Sequence, residues 1–264
     1  MSDFRIPSRH RFERVANFRD LGGHRTRDGR RLPHGRLFRS GHLGHASDAD
    51  RAILSTFGLR KVFDFRTLSD IEMDGPDRLP EGAESVQLPM PDPAQGRGIR
   101  AILEESGPDR LEEFFGGGQA EELMRSSAAG LVRERREPYA RFLEALAEAD
   151  AVPALFHCSA GKDRAGWAGS VVLLTLGVPE EEVIEQYLLS NRSAEEIIER
   201  QRSHGREIWN DVLRPLLEVR REYIEASFEA VHADWGSFEG YLEKGLGISE
   251  AQRDAIRRNL LDDS

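Results

Sequence analysis

His157-Cys158-Ser159-Ala160-Gly161-Lys162-Asp163-Arg164 is the stretch on which the fold turns, and it holds the only cysteine of the 264-residue chain. An apolar, strand-like run, Ala151 to Phe156, leads into it, and a run rich in small residues, Ala165 to Leu176, leads out. Strand, tight polar loop and helix in that order predict an α/β unit with the loop at the end of a buried strand. Five residues separate the cysteine from Arg164, and each part has a task if the loop wraps a phosphoryl group. Backbone N–H groups of residues 159 to 164 can converge on oxygens, and the positive end of the following helix favours an anion there. Such a field also favours thiolate over thiol, which produces a nucleophile at neutral pH. Arg164 offers a planar fork for two oxygens, which a lysine lacks. A structural cysteine beside a surface turn is the competing reading. The preceding histidine, the glycine three residues on and the Leu155-Phe156 lead-in weigh against it. No G-x-S-x-G pattern frames Ser159, which disfavours a serine hydrolase.

Outward from the loop, Asp50 to Phe57 reads as a helix and Leu59 to Phe65 as a strand ending at Asp64 and Arg66. Ser85 to Met90 is a further strand running into Pro91-Asp92-Pro93, where the prolines end the ladder and project Asp92 from a loop. Residues 94 to 136 read as helices interrupted at Gly116 to Gly118, either a mobile cover or a solvated insertion. Beyond Pro138 the apolar face of Tyr139, Phe142, Leu143 and Leu146 marks a helix. The helix after the loop opens with Ala165, Gly166, Ala168 and Gly169, small enough to lie close to a sheet, and stops at Gly177 and Pro179. Ser193 with Glu196, and Ser249 with Gln252, form capping boxes that open later helices. The expected architecture is α/β: a central, mostly parallel sheet flanked by helices, with a helical C-terminal part. Residues 1–264 are expected to form one domain, with a lid or insertion at about 94–136.

Composition narrows the function. Hydrophobic content of 39% and charged content of 32% describe a globular chain. A formal net charge of -10 argues against nucleic-acid binding through a broad basic surface. No apolar run reaches the roughly 18 residues of a membrane span, so no stable membrane insertion is expected. Met1 to His10 lacks the apolar core of a secretory signal, although export without a recognisable signal stays open. A single cysteine excludes an intrachain disulfide and suits a reducing compartment, by default the cytoplasm. Five of the eight histidines fall by residue 45, including His42 and His45, and read as exposed loop residues rather than metal ligands. No metal or cofactor is called for.

HCSAGKDRAG resembles the signature loop of cysteine-dependent phosphatases, and its GKDR ending resembles the bacterial tyrosine-protein and phosphoinositide phosphatases called triple-specificity phosphatases. Asn17-Phe18-Arg19-Asp20-Leu21-Gly22-Gly23 and Leu37-Phe38-Arg39-Ser40-Gly41 are similar to the N-terminal motifs of that group. Val62 to Thr67, with its D-x-R ending, and the tail around Tyr223, Tyr241 and Leu246-Gly247 also fit. The likeness is weakest from about 94 to 136. It implies a cysteine-phosphatase fold, a phosphorylated protein or phosphoinositide as substrate, and a phosphocysteine intermediate.

The expected chemistry is two-step transfer: Cys158 attacks phosphorus, and Arg164 with the amides of Ser159, Ala160, Gly161 and Lys162 holds the equatorial oxygens. Three aspartates compete as the acid for the leaving group. The resemblance favours Asp163; Asp92 sits on a proline-flanked loop; Asp64 ends a strand and either serves, orients a loop or pairs with Arg66. Lys162 adds a cation that either contacts an inositide or supports the thiolate. For Arg19 and Asp20, a local salt bridge and support of the loop weigh equally. Two other classes remain: a non-catalytic phosphate-reading module, which needs no nucleophile, and a rhodanese-like sulfurtransferase using Cys158 alone, which needs no GKDR ending.

Overall fold

The computed structural model describes residues 12–91, 108–203 and 212–262. Its centre is a five-stranded sheet of β1 (Arg19–Asp20), β2 (Leu37–Ser40), β3 (Lys61–Asp64), β4 (Glu84–Gln87) and β5 (Ala154–His157), in spatial order β1-β2-β5-β3-β4. Only the β1–β2 pair is antiparallel. β5 lies in the middle, parallel to both neighbours, and every one of its residues is buried. An unbroken apolar run is what a strand covered on both faces requires.

Alternation along the strands sorts side chains to the two faces. Phe63 and Phe156 join Phe142, Leu143, Ala168 and Val172 in the main core. These residues draw in α5 (Arg136–Leu146) and α6 (Arg164–Leu176). Phe38, Val62 and Leu155 face the other way and pack with Leu54 of α1 (Asp48–Ser55) and with Val15 and Phe18. The result is a sheet between helical layers, the expected α/β architecture. The parallel register brings Ser40, Asp64 and His157 level with one another at the C-terminal ends of three strands, the edge at which α/β sheets place their ligands.

Between β3 and β4 lies α2 (Leu68–Asp74), opened by a capping box of Thr67 and Asp70. The described part of the 94–136 segment forms α3 (Pro108–Phe115) and α4 (Gln119–Glu134). The helical tail holds α7 (Glu180–Leu188), α8 (Asn191–Ser203), α9 (Arg214–Leu217), α10 (Arg221–Trp235), α11 (Phe238–Gly240), a π-turn at Tyr241–Gly245 and α12 (Glu250–Leu260). α4 packs along α10, and Leu111, Phe115, Ala120 and Met124 share a satellite core with Leu213, Leu216 and Tyr223. Leu131 and Val132 at the far end of α4 belong to the main core.

Two expectations need correction. Ser249 and Gln252 do form a capping box. Ser193 opens no helix, because α8 begins at Asn191 and Ser193 lies within it. The start is set by tertiary contact: the Asn191 side chain donates to the Val219 carbonyl at 2.8 Å and accepts from the Val219 N–H at 2.7 Å. The early histidines are not uniformly exposed either. His24 is buried and His42 half-buried, while His34 and His45 are exposed.

Candidate active site

The loop between β5 and α6 carries Cys158, which is 2% exposed. Four consecutive carbonyl oxygens of this loop are tied from behind. Ser159 accepts from the His42 N–H at 3.0 Å. Ala160 accepts from Asn17 Nδ2 at 3.2 Å. Gly161 accepts from Asn17 Nδ2 and from Arg39 Nε, both at 2.9 Å. Lys162 accepts from Arg39 Nη2 at 3.0 Å. In a trans peptide the C=O and the following N–H point opposite ways. The amides of residues 160 to 163 therefore face away from this clamp, as a cradle for an oxyanion requires.

Backbone geometry permits the fit. Gly161 has φ +71°, and a Cβ there would overlap the Ser40 carbonyl oxygen, so glycine alone suits the position. Asn17 also adopts a left-handed conformation, φ 56°, which asparagine tolerates better than most residues. The small residues of α6 do more than bring a helix close to a sheet. A Cβ at Gly166 would stand 2.9 Å from the Tyr187 ring and 3.1 Å from Arg39 Nη2. Their smallness makes room for a guanidinium.

Arg164 is fully buried at the start of α6. Its Nη1 donates to Asp70 Oδ2 at 2.7 Å, to the Met90 carbonyl at 3.1 Å and to the Phe65 carbonyl at 3.3 Å, and its Nη2 reaches Ser159 Oγ at 3.4 Å. Burial pushes the Asp70 carboxyl up, but the charge and hydrogen bond of Arg164, with the Thr67 bonds, outweigh it and hold it below the usual carboxylate range. Asp70 is a site residue the sequence reading missed. Its signal was present as the T-x-x-D box, since one carboxylate caps α2 and anchors Arg164.

Asp163 and Lys162 form a pair. Lys162 Nζ lies 2.9–3.0 Å from the two Asp163 carboxylate oxygens, and both residues are buried. The Asp163 side chain makes no capping bond to α6. Asp163 also lines a shallow cleft together with Met124 and Leu131 of α4, Trp167, Tyr187 of α7 and Tyr223 of α10. Asp92 lies outside the described residues.

Asp64 and Arg66 pair with each other, with both Asp64 oxygens bonded to the guanidinium at 2.9–3.1 Å. Arg66 also donates to Asp77 Oδ1 at 2.8 Å, and Asp77 Oδ2 meets His157 Nε2 at 2.8 Å. This buried network braces the root of the loop. Burial pushes His157 down, yet the hydrogen bond and charge of Asp77, aided by Asp64, raise it overall. Burial pushes Asp77 up, and His157 and Arg66 bring it below its ordinary value. Asp64, Asp77 and His157 offer ligand atoms within 4.8 Å of one another, and the Arg66 guanidinium already supplies positive charge there. Asp77 carried no sequence signal beyond its type.

The salt bridge weighed for Arg19 and Asp20 does not form among the described residues. Arg19 donates to the Asn17 carbonyl, to Asn17 Oδ1 and to Ser190 Oγ. Asp20 instead accepts from the Gly22 and Gly35 N–H groups. Arg19 thus holds Asn17, which holds the loop. His42 and His45 stack edge to face at 4.8 Å, and burial pushes His42 down to about 4.

Comparison with known proteins agrees with this geometry. Residues 10–262 match the model of the tyrosine phosphatase family. A Cupriavidus necator protein provisionally named a tyrosine-protein phosphatase is 33% identical over 91% of this chain and 85% of its own length. The triple specificity protein phosphatase PtpB of Mycobacterium tuberculosis is 30% identical over 93% and 96%. A tyrosine-protein phosphatase of Nostoc commune is 25% identical over 87% and 75%. A match from residue 10 to residue 262 takes in the clamp, the loop and the helical tail alike, so the chain belongs to the bacterial tyrosine phosphatase family and is a phosphatase.

Proposed function

We propose that the enzyme hydrolyses phosphotyrosine in proteins through a phosphocysteine intermediate at Cys158, with phosphoserine, phosphothreonine and phosphoinositides as additional substrates. The observation that carries this reading is the loop itself: four successive carbonyls are held from behind, so four successive amides face the other way at the root of which stands the one thiol. The Cys158 thiolate attacks phosphorus as the ester P–O bond breaks. Asp163 gives its proton to the departing oxygen, then takes one from the water that cleaves the S–P bond. Arg164 and the amides of residues 159 to 164 stabilise the equatorial oxygens in both steps. Asp70, by fixing one edge of the Arg164 fork, orients the other. Asp64 and Arg66 support the loop through His157.

The cleft beside Asp163, with its aromatic and aliphatic walls, supports an aromatic leaving group, and α4 would serve as a wall of the site within a single domain. The name of the mycobacterial relative, triple specificity, supports the wider substrate range. The pairing of Lys162 with Asp163 supports a role for the lysine in holding the acid rather than in substrate contact alone. A thiol that must stay reduced suits the bacterial cytoplasm.

The test is phosphate release from a phosphotyrosine peptide and from a phosphoinositide, in metal chelator, by wild type and Cys158→Ser. Wild type is expected to release phosphate and the variant to lose at least about a thousandfold in kcat. Substantial residual turnover in Cys158→Ser would refute the cysteine mechanism; no release by wild type would favour the phosphate-reading module.

A further inference from the structure

Two arginines behind the loop stand directly opposite each other, Arg19 on β1 and Arg39 on β2. Like charges facing across a strand pair are destabilising. Both are buried, Arg39 completely. Among the described residues their hydrogen bonds end on carbonyl and amide oxygens and on the shared hydroxyl of Ser190, 2.8 Å from Arg19 Nη2 and 3.2 Å from Arg39 Nη2. None ends on a carboxylate. A buried cation with no carboxylate bonded to it is costly, so stability alone does not account for the arrangement. The titratable groups that face Arg39 are Cys158 and Asp163 of the loop, Tyr187 of α7 and Tyr139 of α5, with Arg19 beside it. Burial pushes Arg39 down to about 10, and Cys158 is the largest influence opposing that. α6 is carved to receive the group, since Gly166 and Gly169 approach its two terminal nitrogens.

We infer that Arg39, tied to Arg19 through Ser190, is a positioning residue for phosphoryl transfer: it aims loop amides by holding the Gly161 and Lys162 carbonyls, and it supplies buried positive charge whose counter-ions are the Cys158 thiolate and the substrate phosphate. The inference rests on the reading of residues 158–164 as the phosphate cradle. Holding those two carbonyls turns the N–H groups of Lys162 and Asp163 toward the opposite side. The Nε and Nη2 atoms of one rigid fork bond both oxygens, an alignment that the single ammonium of lysine cannot copy. Charge and aim are therefore separable by substitution.

The experiment compares wild type, Arg39→Met and Arg39→Lys in two assays that need no turnover: iodoacetate alkylation of Cys158 at pH 6 and pH 10, and binding of inorganic phosphate by calorimetry. Arg39→Met is expected to alkylate roughly tenfold more slowly at pH 6 and at the wild-type rate at pH 10, where an ordinary thiol is already ionised. Its phosphate binding should weaken at least about tenfold. Arg39→Lys should keep most of the pH 6 rate yet bind phosphate more weakly. A folded Arg39→Met with wild-type behaviour in both assays would overturn the inference, as would an equal rate change at both pH values, which signals altered access only. If Arg39→Met does not fold, Arg39→Lys decides: wild-type phosphate affinity there overturns the aiming role, and a loss with the pH 6 rate retained supports it. Wild type that neither binds phosphate nor alkylates readily at pH 6 would remove the cradle reading and this inference with it, whereas failure in the variants alone removes only the inference.

Discussion

Replacing Asp70 by Asn removes one charge from the buried pair that anchors Arg164 and changes almost nothing else. The Arg164 side chain is 0% exposed and that of Asp70 7%, with the bond at 2.7 Å. Asparagine keeps the shape and can still accept from the Thr67 N–H, which Asp70 does at 2.9 Å, so the cap on α2 survives. Removing one partner of a buried ion pair typically costs about 3–5 kcal/mol. Arg164 retains the Phe65 and Met90 carbonyls, which puts the expected loss near the low end, about 3 kcal/mol. At about 2–4 °C per kcal/mol for a chain of this size, the melting temperature should fall by roughly 6–12 °C at pH 7. Because Asp70 is held below the usual carboxylate range in the folded state, its contribution is complete above the unfolded carboxyl value of about 3.9 and disappears as pH falls through the lower folded value. The gap between wild type and Asp70→Asn should thus stay constant from pH 7 to about 5 and close under stronger acid. Millimolar inorganic phosphate should restore part of the loss by supplying Arg164 with a counter-charge. Thermal unfolding across pH, with and without phosphate, measures all three. A loss under about 2 °C at pH 7, or a gap unchanged in acid, would refute the reasoning.

Two further outcomes follow from the same geometry. Asp163→Asn should slow hydrolysis of an alkyl phosphate far more than that of an aryl phosphate, because only the poorer leaving group depends on protonation; Asp92→Asn serves as the comparison, and the larger alkyl-specific loss in steady-state kcat identifies the acid. Asp77→Asn should destabilise more near pH 6 than in base: His157 is raised by Asp77, so while Asp77 stays ionised their bond contributes fully below the ordinary histidine value of about 6.5 and is lost as pH rises through the higher folded value. Urea unfolding at pH 6 and pH 9 should give a larger difference from wild type at pH 6.

Much of the site could be read in one dimension. The strand, loop and helix around Cys158 are contiguous in sequence, and the observed β5 and α6 lie within three residues of the expected ones. β3 and β4 likewise fall inside or beside the predicted runs. Position within an element was less legible. Ser193-x-x-Glu196 has the letters of a capping box, yet Asn191 bonds to Val219, 28 residues away, and starts the helix earlier. The Thr67–Asp70 box has the same spacing and does cap, but its second task depends on Arg164, 94 residues distant.

The sequence by itself determined the form of the loop, because thiol, amides and arginine all come from eight adjacent residues whose local order dictates strand, turn and helix start. It also determined the layered α/β architecture, which follows from apolar runs and their periods. Only the tertiary structure decided how the loop is held. Asn17, Arg39 and His42 lie more than a hundred residues before the carbonyls they bind, and Asp70 and Asp77 reach their partners across the strand ends. Hydrogen bonds of that range depend on sheet register and helix packing, which set distances that no local pattern encodes. The two opposed arginines make the point most directly: read along the chain, a local salt bridge with Asp20 and support of the loop weigh equally for Arg19, and Arg39 is only part of a motif; the pairing of β1 with β2 beneath the loop is what makes them buried charge behind a thiol.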